Sequence, residues 1–136
     1  MIYLKDSGVY SLIIKSNKNQ KIKVGKLGRV NFKKGFYIYT GSSLNGLRKR
    51  IERHKRKQKK LFWHIDYLLA NKHMKILQVF TIETRKRLEC KLNKIVSSLP
   101  GAQILIKGFG CSDCRCKTHL FYFNEVDLAR PLLKIK

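Results

Sequence analysis

Acidic side chains are scarce in this sequence: eight Asp and Glu stand against 31 Lys and Arg, leaving a formal net charge of +23 and a pI near 10.3. So few carboxylates exclude a charge-balanced surface, and the excess goes far beyond what solubility asks. A polyanion is the expected partner, nucleic acid before a membrane surface, with DNA expected first and RNA as the other possibility. No apolar run approaches the ~18 residues of a membrane-spanning helix. The opening Met1-Ile2-Tyr3-Leu4-Lys5-Asp6 is no signal peptide, so the expectation is a cytoplasmic protein without a membrane partner. Cysteine is sparse as well. Of Cys90, Cys111, Cys114 and Cys116, three crowd into one short stretch, which is poor geometry for a disulfide framework and points to a metal cluster or buried thiols. Internal repeats and low-complexity segments are lacking. What remains is 136 residues, 43% of them hydrophobic, which is length and core for one domain over residues 1–136.

Gly8-Val9-Tyr10-Ser11-Leu12-Ile13-Ile14-Lys15 is rich in β-branched and aromatic residues and ends at the turn-like Ser16-Asn17-Lys18-Asn19, so a strand is predicted. Lys21 to Val24 and Arg29 to Phe32 alternate polar and apolar around Gly25-Lys26-Leu27-Gly28, the pattern of an extra hairpin. Gly35-Phe36-Tyr37-Ile38-Tyr39-Thr40-Gly41 follows as a strand, with Phe36 and Ile38 on one face and Tyr37 and Tyr39 on the other. From Gly46 the period changes. Leu47 and Ile51 form a narrow apolar stripe at i and i+4, and Arg50 and His54 border it, so this basic amphipathic helix turns both toward whatever it packs on. A second helix is predicted over Phe62 to Ala70, a strand over Ile76 to Ile82 and a third helix over Arg85 to Leu99, with a glycine-rich loop and a last strand near Leu120 to Phe123.

Two glycine-flanked tyrosine motifs, Gly8-Val9-Tyr10 and Tyr39-Thr40-Gly41, followed by a basic helix, resemble the GIY-YIG nuclease superfamily. Val9 stands where the motif has isoleucine, and Thr40 where the second motif usually has an aliphatic residue. Arg50 and His54 match the helix arginine and the histidine four residues on, and Glu89 matches the metal-binding glutamate of a downstream helix. Asn93 is a candidate for the late asparagine of some members. Phe62 to Leu68 and Gly108 to Phe121 resemble the stand-alone archaeal, Uri-type branch. The resemblance implies an α/β fold: a small, mainly antiparallel central sheet flanked by helices, here with an extra N-terminal hairpin and a C-terminal loop and strand. It also implies a divalent-metal-dependent endonuclease with its site on the sheet face bearing Tyr10 and Tyr39.

Phosphodiester hydrolysis asks for these residue types. It needs a base for water, a cation facing the charge that builds on phosphoryl oxygen, and help for the leaving alkoxide. Tyr10 is the candidate base, with Arg50, His54 and a metal expected to favour its phenolate. Arg50 has the fork geometry of a phosphate clamp, with Arg48 and Arg53 as further phosphate contacts. Glu89 is expected to hold a single Mg²⁺ or Mn²⁺. His64 is either a catalytic group or a histidine packed beside Trp63 and Tyr67. Cys111, Cys114, Cys116 and His119 are four soft donors suited to Zn²⁺, the alternative being buried thiols in a glycine-rich turn, with Asp113 and His119 facing the cleft instead. A non-catalytic DNA- or RNA-binding module on the same fold is the rival. It needs the cations but no carboxylate set against its polyanion.

Overall fold

A computed structural model describes residues 6–111 and 114–125. Its centre is a four-stranded antiparallel sheet in the order β5-β1-β4-β6, formed by β1 (Gly8–Ser16), β4 (Gly35–Ser43), β5 (Met74–Glu83) and β6 (Leu120–Phe123). β1 has a partner on each side and a covered layer on each face, which is why its residues are buried except Lys15. β5, at the sheet edge, is only partly covered. Two short strands, β2 (Gln20–Lys23) and β3 (Arg29–Phe32), pair separately as the expected hairpin, and Ile22, Val30 and Phe32 turn into the main core.

The side-chain period of a strand sorts the core into two layers. On one face Tyr10, Leu12, Ile14, Tyr37 and Tyr39 pack with Leu47 of α1 (Leu47–Lys55) and with Ile65, Leu68 and Leu69 of α2 (His64–Leu69). On the other, Ile13 and Ile38 pack with Phe121, Phe123 and Val96 of α3 (Glu89–Ser97), with Phe36 against them. The division of Phe36 and Ile38 from Tyr37 and Tyr39 is the one the alternation predicts. Each fully buried aliphatic or aromatic side chain here contributes about 1.5–3 kcal/mol relative to an exposed one.

Two helices begin later than their apolar periodicity suggests. α2 starts at His64 rather than at Phe62, because the Asp66 carboxylate reaches back to accept the Phe62 and Trp63 N–H groups at 2.9 and 2.8 Å and so fixes the first turn. α3 starts at Glu89 rather than Arg85. Arg85, Lys86 and Arg87 would set three cations against the positive end of the helix dipole, whereas Glu89 in the first turn complements it. Gln103 pairs with Tyr122 across an isolated bridge and covers the β6 edge. Among the described residues, no helix is long and apolar enough to cross a membrane.

Candidate active site and thiol cluster

A cleft of about 520 Å³ opens at the end of the sheet where β1 begins and β4 ends, and Tyr10, Tyr39, Arg50, Trp63, Lys86 and Glu89 all line it. Tyr10 and Gly41 stand directly opposite in the antiparallel register. A Cβ at position 41 would lie 2.6 Å from the Tyr10 hydroxyl, so glycine is what lets the phenol lie across β4. A Cβ at position 8 would meet the Ile82 carbonyl at 2.1 Å, so the first motif's glycine is demanded by the approach of β5. Both motif glycines thus make room for neighbouring strands and rings.

Tyr10 is almost fully buried, and its hydroxyl oxygen lies 2.7 Å from His54 Nε2. Burial, with the Lys59 cation next, pushes the His54 ring down to about 3, so the imidazole is neutral at ordinary pH. Among the described residues its Nδ1 meets no hydrogen-bond partner. Burial also raises the Tyr10 and Tyr39 hydroxyls well above the ordinary phenol value, outweighing the pull of Arg50. The protein's side chains alone therefore do not favour a Tyr10 phenolate. His54 is not a cation, and its Nε2 holds the Tyr10 hydroxyl in place.

Arg50 donates from Nη1 to the Ser42 carbonyl at 2.9 Å and lies 4.4 Å from the Trp63 ring centroid. These two contacts, with a hydrogen bond to the neighbouring Tyr10 hydroxyl, aim the guanidinium into the cleft. Glu89, at the start of α3, crosses to the cleft from the opposite layer. Its Oε1 accepts the Ser42 hydroxyl at 2.5 Å, and its Oε2 lies 3.0 Å from His119 Nδ1. Partial burial works to raise its pKa, but the hydrogen bonds from His119 and Ser42 prevail and hold it below the usual value. An ionised carboxylate has about four acceptor directions. Two are used here, so Glu89 retains the hard oxygen donors that Mg²⁺ or Mn²⁺ takes.

Arg53 is not a free phosphate contact. Its guanidinium grips the wholly buried Asp66 carboxylate at 2.7 and 2.9 Å and donates to the Lys60 carbonyl at 2.8 Å. Arg48 is 83% exposed beside Asp6 and does not line the cleft, so of the three arginines only Arg50 reaches it. His64 takes the Gly110 N–H on Nδ1 at 2.8 Å with its ring beside Phe109, and so anchors a loop residue that does line the cleft. Asn93 is buried and donates to the Thr118 carbonyl at 2.8 Å, which ties α3 to the segment before β6 rather than to the cleft. Asp113 lies outside the described residues.

The soft-donor cluster differs by one member from the sequence expectation. Cys90, Cys114, Cys116 and His119 bring their ligand atoms within 4.8 Å of one another and are able to hold a metal ion. Cys111 instead points its thiol at the Phe109 carbonyl, 3.5 Å away. His119 Nε2 lies 3.0 Å from Cys114 Sγ. Burial opposes ionisation of both, yet hydrogen bonds with Cys116 and His119 bring the Cys114 thiol down to about 7. Hydrogen bonds with Glu89 and Cys114 raise His119 to about 10.

Sequence reasoning missed Cys90, Ser42, Trp63, Lys86 and Arg87. Cys90 is far in sequence from the other thiols, and only the adjacency of Glu89 and Cys90 hints that one helix start serves both sites. A family model described as a domain of unknown function, DUF123, matches residues 9–135. No curated protein and no solved structure matches the chain.

Proposed function

The chain belongs to the DUF123 family, and from the cleft it carries we propose that it is a divalent-metal-dependent endonuclease of the GIY-YIG superfamily, in its stand-alone Uri-type branch, acting on DNA. The carrying observation is Glu89, a carboxylate set among Arg50, Lys86 and Arg87 in a cleft that also holds the Tyr10–His54 pair. A surface that only gripped a polyanion would gain nothing from a negative group at its centre, because that group repels phosphate. The two tyrosine motifs support the superfamily, since Tyr10, Tyr39, Arg50 and Glu89 line one cleft and His54 touches Tyr10.

In this reading the Arg50 guanidinium binds the scissile phosphate, and Lys86 and Arg87 add positive potential. A water beside Tyr10 attacks phosphorus. Its proton passes to solvent, while the Tyr10 hydroxyl, held 2.7 Å from His54 Nε2, orients the water, so a buried phenol serves without standing as a phenolate. One phosphorus–oxygen bond forms to the water oxygen, one breaks to the leaving alkoxide, and the alkoxide takes a proton from solvent. Glu89 would hold Mg²⁺ or Mn²⁺, which supplies Lewis-acid stabilisation of the developing charge. The soft donors of Cys90, Cys114, Cys116 and His119 suit Zn²⁺ rather than either of these ions.

Incubation with end-labelled plain duplex, branched, nicked and damaged DNA, and with structured RNA, tests the reading in Mg²⁺, in Mn²⁺ and in chelator. Cleavage of at least one DNA substrate that chelator abolishes is expected. Salt-sensitive binding without cutting of any substrate in either metal would leave a nucleic-acid-binding module on a nuclease fold.

A further inference from the structure

On that reading of Glu89, we propose that Cys90, Cys114, Cys116 and His119 form a closed zinc site whose function is to position the catalytic carboxylate through the His119 ring. The donor set is three thiols and one imidazole with all ligand atoms within 4.8 Å. A tetrahedral site with zinc–sulfur bonds of about 2.3 Å needs ligand atoms about 3.8 Å apart, so small rotamer shifts close it. Four protein ligands leave no open position, which marks a structural rather than a catalytic ion. The dication with three thiolates carries net negative charge, and Arg115 and Lys117, interleaved with the ligands, offset it.

The link to the cleft is one side chain. His119 offers Nε2 to the cluster, 3.0 Å from Cys114 Sγ, and turns Nδ1 to Glu89 Oε2 at 3.0 Å and to the Thr40 carbonyl at 3.1 Å. A metal on Nε2 fixes the hydrogen on Nδ1, the nitrogen that faces the carboxylate. Carboxylate partners of metal-bound imidazoles are held in this way. Glu89 is constrained a second time by the chain itself, because the next residue, Cys90, is a ligand. Ser42 holds its other oxygen. Zinc therefore joins the start of α3 to the loop before β6, two segments far apart in sequence, at the point where the carboxylate must stay still.

The test separates holding zinc from positioning Glu89. Elemental analysis of protein purified without added metal from zinc-replete cells is expected to give close to one zinc per chain, with cobalt replacement giving visible thiolate–cobalt bands. Cys114→Ser should lose the zinc. His119→Cys, which supplies a fourth thiolate while removing the imidazole and with it the Nδ1–H that faces Glu89, should keep the zinc with an unchanged circular-dichroism spectrum. Manganese titration followed by electron paramagnetic resonance then reads the cleft directly. His119→Cys is expected to bind Mn²⁺ about 10–100-fold more weakly than the parent, as loss of an outer hydrogen-bond partner does.

Zinc-free parent protein overturns the site. Zinc-loaded His119→Cys with parental Mn²⁺ affinity overturns the coupling. A parent that carries zinc but binds no Mn²⁺ and cuts nothing overturns the nuclease reading, and the coupling with it, while the zinc stoichiometry shows that the site itself is present.

Discussion

Tyr10 and His54 touch through the phenol oxygen and Nε2 at 2.7 Å, one from the central strand β1 and one from the last turn of α1, with both side chains almost wholly shielded from solvent. Neither group is ionised at neutral pH, since burial raises the phenol and lowers the imidazole. The contact fixes the phenol oxygen where it lines the cleft. Tyr10→Phe keeps the ring that Gly41 accommodates but removes the oxygen that orients the attacking water, and is expected to lower cleavage by about 10²-fold while DNA binding persists. Single-turnover rates beside filter-binding affinities check it. Cleavage by Tyr10→Phe at the parental rate would rule out that role for the hydroxyl.

Glu89→Gln is expected to abolish cutting while leaving binding intact or slightly tighter. Glutamine preserves shape and helix propensity but removes the charge that holds a hard cation, and it relieves repulsion of phosphate. Cleavage assays in Mg²⁺ beside affinity measurements in chelator report the two effects separately. Near-parental cutting by the variant in Mg²⁺ would discard the single-metal reading.

Arg50 and Arg53 lie three positions apart on α1 and both flank Trp63, yet opposite failures are expected of them. Arg50→Ala removes a cleft contact, so it should weaken binding and slow cleavage by about 10²–10³-fold with little loss of stability. Arg53→Ala leaves the buried Asp66 carboxylate without its cation and is expected to cost about 3–5 kcal/mol of folding free energy. Urea unfolding and cleavage rates measured on both variants give the comparison, and equal stability losses would contradict the assignment.

Stability should fall on mild acidification through His54. Its ring titrates near the ordinary 6.5 in the unfolded chain but near 3 when folded. The stability tied to keeping it neutral is therefore complete above pH 6.5 and is lost as pH falls toward 3, at a slope of up to about 1.4 kcal/mol per pH unit. His54→Gln keeps a hydrogen-bond partner for Tyr10 but cannot titrate. Its unfolding free energy should decline less than the parent's between about pH 6.5 and pH 4. Parallel curves for the two proteins would show that the ring titrates freely in the fold.

Much of the sheet and its working face was legible because a strand's period is local. Tyr37 and Tyr39 had to share a face, and the four-residue step from Arg50 to His54 had to bring both to one border of α1. What stayed hidden depends on tertiary partners. Arg53 reads like any other arginine until Asp66 is folded against it. Cys90 reads as a lone thiol on a helix, and Cys111 as part of a compact motif, until the fold completes the four-donor set with Cys90 and leaves Cys111 beside it, its thiol toward the Phe109 carbonyl. The start of α3 was misplaced because the apolar period of Leu88, Leu92 and Ile95 says nothing about three cations at a dipole's positive end.

The cleft is assembled across nearly the whole described chain, from Tyr10 on the first strand to His119, which holds Glu89 and directly precedes the last. Contacts this distant close late in folding, because each must overcome the entropy of the loop between its ends. A growing chain on the ribosome therefore already exposes Tyr10, Arg50 and His54 while lacking the residue that steadies Glu89. Because that constraint comes with the approach of β6, the geometry around the Glu89 carboxylate is complete only once His119 has joined the sheet.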